Sequence, residues 1–143
     1  MTLQEALRQP ELSPLQTWTV AAACSLARPD RSVLTEAARN LSPAQLHSAK
    51  AAARLMAMTN VLFRFRDQIG REEYSQLPAR LNLSARRTHG GDPAAFELAC
   101  VAVSALNACQ TCLRHHEQKA RDLGLPPETI LAAVRLAAVL QAE

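Results

Sequence analysis

The residues best equipped for chemistry lie in one run, Cys109-Gln110-Thr111-Cys112-Leu113-Arg114-His115-His116. Two thiols three positions apart on a helical turn come close enough to join in a disulfide after modest adjustment. His116 follows Cys112 by four residues and Cys109 by seven, so on a helix it lies on nearly the same face as both sulfurs. His115 points roughly 100° away from His116 and reads as a surface histidine. The chemistry open to such a group is thiol–disulfide exchange or attack on a peroxide, because the thiolate is the nucleophile in both. An ordinary cysteine is mostly protonated at neutral pH, so its surroundings must favour the anion. A helix beginning near Asn107, with Asn107 as its cap, would aim free backbone N–H groups at Cys109 and Cys112. His116 would then take or relay the proton.

Glu97 is the fourth candidate. In one straight helix it would stand twelve residues, roughly 18 Å, from Cys109 and could not touch the site. A sharp bend near Asn107 would instead leave Glu97 and His116 at similar distances from the turn, and the carboxylate could orient the imidazole. The sequence therefore predicts a chain reversal or strong kink between Leu106 and Cys109. Other uses compete for these residues. Cys109, Cys112 and His116 could supply three zinc ligands, with Cys24, His47 or His89 as a distant fourth, although none of these has a spacing that recommends it. Both cysteines could also simply be buried in an Ala-rich core. Cys24 and Cys100 read as core thiols, and Met56 and Met58 join Leu55 and Leu62 in a buried helical stripe. Arg64, Arg66, Arg86 and Arg87 read as solvated charges, with docking of an acidic partner as their other use.

The elements that must position these groups are helical. Apolar residues recur at three and four positions, with breaks at Pro29-Asp30, Asn40-Leu41-Ser42-Pro43, Gly70, Gly90-Gly91-Asp92-Pro93 and Gly124-Leu125-Pro126-Pro127. Ser13-Pro14, Ser42-Pro43 and Asp92-Pro93 each put a capping residue before a proline suited to the first turn. Helices are expected to begin near 14, 32, 43, 93 and 127, with a mostly irregular connection from Tyr74 to Gly91. Setting Pro43 beside Pro127 aligns two Ala-rich helices and suggests a weak internal repeat, in which Ser25, Arg28 and Ser32 fall on Cys109, Cys112 and His116.

With 143 residues the chain has the length of one domain and one core. We expect a single all-α domain over 1–143, with its active-site helices at about 93–123. Of its apolar residues, 48% of the total, most are Ala and Leu, which suits close helix packing better than a sheet. A charge excess of only three, with Arg spread among Glu and Asp, argues against nucleic-acid binding. The first residues lack the basic start and apolar run of a secretion signal, and no apolar stretch reaches membrane-spanning length, so a cytoplasmic location is expected. In that compartment four cysteines favour free thiols, metal ligands or a redox pair over structural staples.

Phe96-Glu97, eleven residues, and then Cys109-x-x-Cys112-x-x-x-His116-Glu117 followed by Gly124 resembles the alkylhydroperoxidase D group within the carboxymuconolactone decarboxylase-like superfamily. The upstream run from Met56 to Arg66 is similar to a second stretch of that group, and the resemblance spans roughly Leu15 to Leu140. It implies a helical fold with internal pseudo-symmetry, assembled as a homotrimer. It also implies an antioxidant enzyme that reduces alkyl hydroperoxides and regenerates a partner peroxiredoxin, alkyl hydroperoxide reductase C. Electrons would come from dihydrolipoamide on a lipoyl carrier protein, with no bound cofactor or metal. Under the same resemblance Cys112 is the peroxide-attacking thiol that becomes a sulfenic acid. Cys109 is the proton donor and resolving thiol, Glu97 and His116 form a proton relay, and the cycle closes on a Cys109–Cys112 disulfide. Thr111 stands where the best-known members carry a histidine, and the chain is short at both ends beside typical members.

Three other functions fit parts of the pattern. A general disulfide reductase or redox sensor would use the same pair without physiological peroxide turnover. A decarboxylase of the wider superfamily would need no redox pair, and a zinc-stabilised interaction module would use the thiols as ligands.

Overall fold

The computed structural model describes residues 1–143 and is all-helical. Nine helices follow in order: α1 (Leu3–Ala6), α2 (Pro14–Leu26), α3 (Leu34–Arg39), α4 (Pro43–Ile69), α5 (Glu72–Gln76), α6 (Ala85–Thr88), α7 (Pro93–Leu106), α8 (Gln110–Asp122) and α9 (Pro127–Ala142). The starts expected at 14, 43, 93 and 127 are all present, and the one expected near 32 falls at Leu34. Their cause is local. Ser13 Oγ accepts from the Gln16 N–H at 3.1 Å while Gln16 Oε1 accepts from the Ser13 N–H at 2.9 Å, a reciprocal cap. Ser42 and Asp92 accept from Gln45 N–H and Ala95 N–H in the same way. In each case proline occupies the first turn, where its missing N–H costs nothing. α1 was not expected, and it rests on another reciprocal cap between Thr2 and Glu5. The connection from Tyr74 to Gly91 is less irregular than expected, since it holds the end of α5 and all of α6; neither short helix has a side-chain cap.

α7 is the central helix. Every residue from Ala95 to Ser104 is buried, the signature of a helix surrounded on all sides, and α2, α4, α8 and α9 all pack against it. Alanines at 95, 99 and 102 let those neighbours approach, and Phe96, Leu98, Val101 and Val103 fill the space between. α2 packs on α7, and the two Ala-rich helices that the offset aligned, α4 and α9, do start 84 residues apart as Pro43 and Pro127. The separations from α2 to α7 and from α4 to α9 are unequal, so the fixed offset that laid Ser25 over Cys109 does not hold for α2 and α7.

A small polar knot ties α4 to the entrance of α7. His89 Nδ1 lies 2.8 Å from Ser48 Oγ and accepts from the Gly91 N–H at 3.1 Å, while its ring stacks on Phe96 with centroids 3.9 Å apart. Gly91 packs so closely on Gln45 and Ser48 that an added Cβ would overlap both side chains. Gly91→Ala is therefore expected to destabilise the fold by about 1–3 kcal/mol, the usual cost of overpacking, read as a lowered denaturant midpoint. Burial pushes the His89 pKa down; the charges of Glu97 and Asp92 oppose that shift, and His47 adds to it. The hydrogen bond agrees with a neutral ring, because a proton on Nδ1 would face the Gly91 N–H. With a folded value below the ordinary 6.5, the unfolded chain binds more protons as the solution is acidified. The contribution is complete above pH 6.5 and is lost as pH falls toward the folded value, so the melting temperature should decline below about pH 6.5. A melting temperature that stays flat from pH 7 to 5 would contradict this assignment.

Candidate active site at the start of α8

The chain reverses where the sequence requires it. α7 stops at Leu106, Asn107 closes its last turn with an N–H donated to Val103 C=O at 3.0 Å, and Ala108 adopts a left-handed φ of 54°. Cys109 N–H then reaches back to Ser104 C=O at 3.1 Å. A left-handed residue after a helix satisfies its last carbonyls and usually is glycine; in alanine it costs about 1–2 kcal/mol, which the surrounding contacts must offset. Asn60 supplies part of that support from α4. Its Nδ2 donates to Ser104 Oγ at 3.1 Å, and its Oδ1 accepts from Asn107 Nδ2 at 3.0 Å. Ser104 Oγ in turn donates to Met56 Sδ at 3.3 Å. Asn107 thus ends α7 and does not cap α8, which corrects the expected cap. The cap of α8 is Cys109 itself, whose Sγ accepts from the Cys112 N–H at 3.3 Å.

This placement puts both sulfurs at the positive end of a thirteen-residue helix, Cys109 at the cap and Cys112 in the first turn. Free N–H groups and the helix dipole there favour a thiolate over a thiol. The two cysteines are in disulfide contact, with Cα atoms 5.4 Å apart. Both are nearly sealed from solvent. One turn along α8, His116 Nδ1 stands 2.6 Å from Glu97 Oε2 on α7, so the reversal does join the carboxylate to the imidazole. With Glu97 ionised, Nδ1–H donates to it and Nε2 is left free to receive a proton. The chain brings together all four candidate residues.

Outside this group, a cavity of about 250 Å³ opens onto Cys112 and His116. Leu55, Met56, Phe63 and Leu83 give it apolar walls, and Arg86 and His115 add polar ones. His115 is exposed as expected, yet it also lines this cavity and meets His116 edge-on at 4.9 Å. Partial burial pushes its pKa down, with His116 and Lys119 adding to the shift, so it is a neutral wall at pH 7.

Two features of the site are invisible to spacing. Thr111 donates its hydroxyl to Asp67 at 2.7 Å, and its N–H reaches the same carboxylate at 3.3 Å, which fixes the end of α4 to the start of α8. Cys100 is fully buried as expected, but tertiary packing brings its sulfur into one group with the Glu97 carboxylate and His116, all within 4.8 Å. Burial pushes its thiol well above the ordinary value, as it pushes Cys24 to about 12, so both stay protonated. Cys100, Glu97 and His116 are the one place where three possible ligands converge; the suggested zinc set, with a fourth ligand from Cys24, His47 or His89, does not gather.

Two of the expectations for side chains on α4 also change. Met56 and Leu55 are core residues, but Met58 faces outward. Arg66 is not merely solvated, since Nη2 donates to Leu77 C=O at 2.7 Å and its guanidinium lies over Phe63.

The model of the carboxymuconolactone decarboxylase family matches residues 72–142, a span that includes all four site residues. Alkyl hydroperoxide reductase AhpD of Solibacter usitatus (strain Ellin6076) is 44% identical over 138 residues, covering 94% of this chain and 78% of that protein. The protein of the same name from Acidobacterium capsulatum is 42% identical over 136 residues, covering 92% and 74%. That from Anaeromyxobacter sp. (strain K) is 42% identical over 146 residues, covering 99% and 78%.

Proposed function

Because the chain belongs to the alkylhydroperoxidase D group of the carboxymuconolactone decarboxylase-like superfamily, we propose that it is an antioxidant oxidoreductase that reduces alkyl hydroperoxides. The observation that carries the reading is the sulfur pair at the start of α8 beside the 2.6 Å imidazole–carboxylate contact. Cys112 is the better nucleophile because it alone of the two borders the cavity. Its thiolate attacks the outer peroxide oxygen, the O–O bond breaks, and Cys112 becomes a sulfenic acid while the alkoxide takes a proton and leaves as the alcohol. Cys109 then attacks that sulfur, water departs, and the disulfide forms. Two thiols and one hydroperoxide give one disulfide, one alcohol and one water. The apolar walls suit the alkyl part of the substrate.

Resetting the pair needs a dithiol. Dihydrolipoamide on a lipoyl carrier protein is the proposed donor, since its aliphatic chain suits apolar walls and its two thiols close a ring as they are oxidised. Regeneration of alkyl hydroperoxide reductase C would follow by exchange with that partner's disulfide. A homotrimer in the cytoplasm completes the proposal. No helix is long and apolar enough to cross a membrane.

One equivalent of an organic hydroperoxide should convert the reduced protein to a species two hydrogens lighter, with Cys109 joined to Cys112 in the peptide map. Dihydrolipoamide should restore the thiols faster than glutathione or thioredoxin. Retention of both free thiols after peroxide would overturn the peroxidase. Oxidation with equal response to all three donors would favour the general disulfide reductase.

A further inference from the structure

The Glu97–His116 pair stands between two separate openings. The front cavity reaches Cys112 and His116 but not Glu97. A second cavity, of about 490 Å³, lies between α6, the start of α7 and the later turns of α8; Glu97 lines it, and neither cysteine nor His116 does. The Glu97 side chain keeps 11% of its surface exposed against 6% for His116, so the carboxylate is the member of the pair that meets this rear space. The 2.6 Å hydrogen bond thus links a residue of the front cavity to a residue of the rear one, and Arg86 borders both spaces beside it.

We propose that the rear cavity is the proton port of the site, through which Glu97 exchanges protons with water while the front cavity is filled. The inference rests on the thiol peroxidase proposed above, with the Cys112 proton routed through His116 and Glu97. The Cys112 thiol gives its proton to His116 Nε2, the Nδ1 proton passes to Glu97 Oε2, and Glu97 releases it to water behind α7. The reverse sequence delivers a proton to the departing alkoxide. No electron moves, and each proton that leaves sulfur enters water. The need for such a route lies in the lining: a water needs about two to four polar partners, and the front walls of Leu55, Met56, Phe63 and Leu83 offer none to a chain of waters beside a seated hydroperoxide or dithiol.

The charges around Glu97 suit this use. Arg86 and Arg87 approach from α6 and Lys119 from α8, so the mouth repels cations and draws in small anions. His89 borders the cavity as a neutral ring, its Nδ1 committed to Ser48 and Gly91. Cys100, on the same face of α7, stays protonated, and Asp122 is the only other carboxylate on the lining. Leu123, half exposed at the end of α8, forms part of the rim.

Chemical rescue tests the route. In the reduced Glu97→Ala protein the alkylation of Cys112 by iodoacetamide should fall, and added formate, a small carboxylate that can enter behind α7, should restore it by about 10-fold. Glu97→Ala/Leu123→Trp, with the rim obstructed, should show no rescue, and native protein should not respond to formate. Absence of rescue, or equal rescue with the rim obstructed, would overturn the port. Should Glu97→Ala not fold, Leu123→Trp alone decides: reduction of its disulfide by dithiothreitol should slow about fivefold with a larger solvent deuterium effect. Native rate and isotope effect in that variant would overturn the proposal. Both readouts use the thiols directly, so failure of hydroperoxide turnover in the native chain would defeat the peroxidase reading separately.

Discussion

Cys112→Ser should abolish hydroperoxide reduction, by about 10³-fold or more, while the helices stay intact. The substitution exchanges sulfur for a smaller oxygen at a buried position in the first turn of α8, where serine is well tolerated, so folding should change little. Chemistry changes a great deal. A hydroxyl does not ionise usefully even at a helix N-terminus, and no other thiol borders the front cavity. Cys109→Ser should act at a different step. Serine is a good cap and can replace the sulfur that accepts from the Cys112 N–H, yet it cannot resolve a sulfenic acid. That variant should complete one attack and stop, leaving Cys112 as a sulfenic acid that a 1,3-dione captures. Circular dichroism melts and single-turnover peroxide consumption would separate the two effects. Full multiple turnover in either variant would overturn the assigned roles.

The site was legible in the sequence because its parts obey short-range rules. The spacing Cys109-x-x-Cys112-x-x-x-His116 needs only a helix, and the helix needs only its local pattern. The reversal before Cys109 followed from requiring Glu97 to reach His116, and Ala108 in its left-handed turn provides it. The identity of the cap was not legible. Asparagine is a good cap by propensity, but the bonds of Asn107 to Val103 and Asn60 commit it to the end of α7. Asn60 illustrates the wider limit: it lies far from the cysteines in the chain, and only the packing of α4 on α7 makes it a support for their turn. The Asp67–Thr111 bond and the approach of Cys100 to His116 have the same origin. Met58 was misplaced because a stripe read from residue types cannot say which of two neighbouring faces meets the core, whereas burial shows Met56 on one and Met58 on the other.

Thr111 bears on how protons are handled. A histidine between the two cysteines would offer a second titrating ring at the mouth; threonine offers a hydroxyl already donated to Asp67. The bond fastens α8 to α4 and thereby holds the helix end at which both sulfurs sit. In the proposed mechanism positional order at the start of α8 falls to Asp67 and Thr111, and proton handling to His116 and Glu97. His115 does not supply such a ring, since partial burial favours its neutral form and it stands beside the pair, outside the hydrogen bond.

That division makes Glu97→Gln the sharper probe of proton transfer. The amide keeps the shape of the carboxylate but not its charge, and it can donate to His116 Nδ1 as readily as accept from it. If it donates, the neutral ring carries its proton on Nε2, the nitrogen that must be free to take one from Cys112. Turnover should fall by about 10²-fold, within the range that a positioned acid–base pair contributes. The effect should lie in kcat, with KM for the hydroperoxide nearly unchanged, because Glu97 has no surface on the front cavity. His116→Gln should cost a similar factor. Adding the two substitutions together should cost scarcely more than either alone, since a relay lacking one member has already lost its function. Losses that multiply would mean that the carboxylate and the imidazole act independently, and full activity in Glu97→Gln would show that the 2.6 Å bond serves the fold alone.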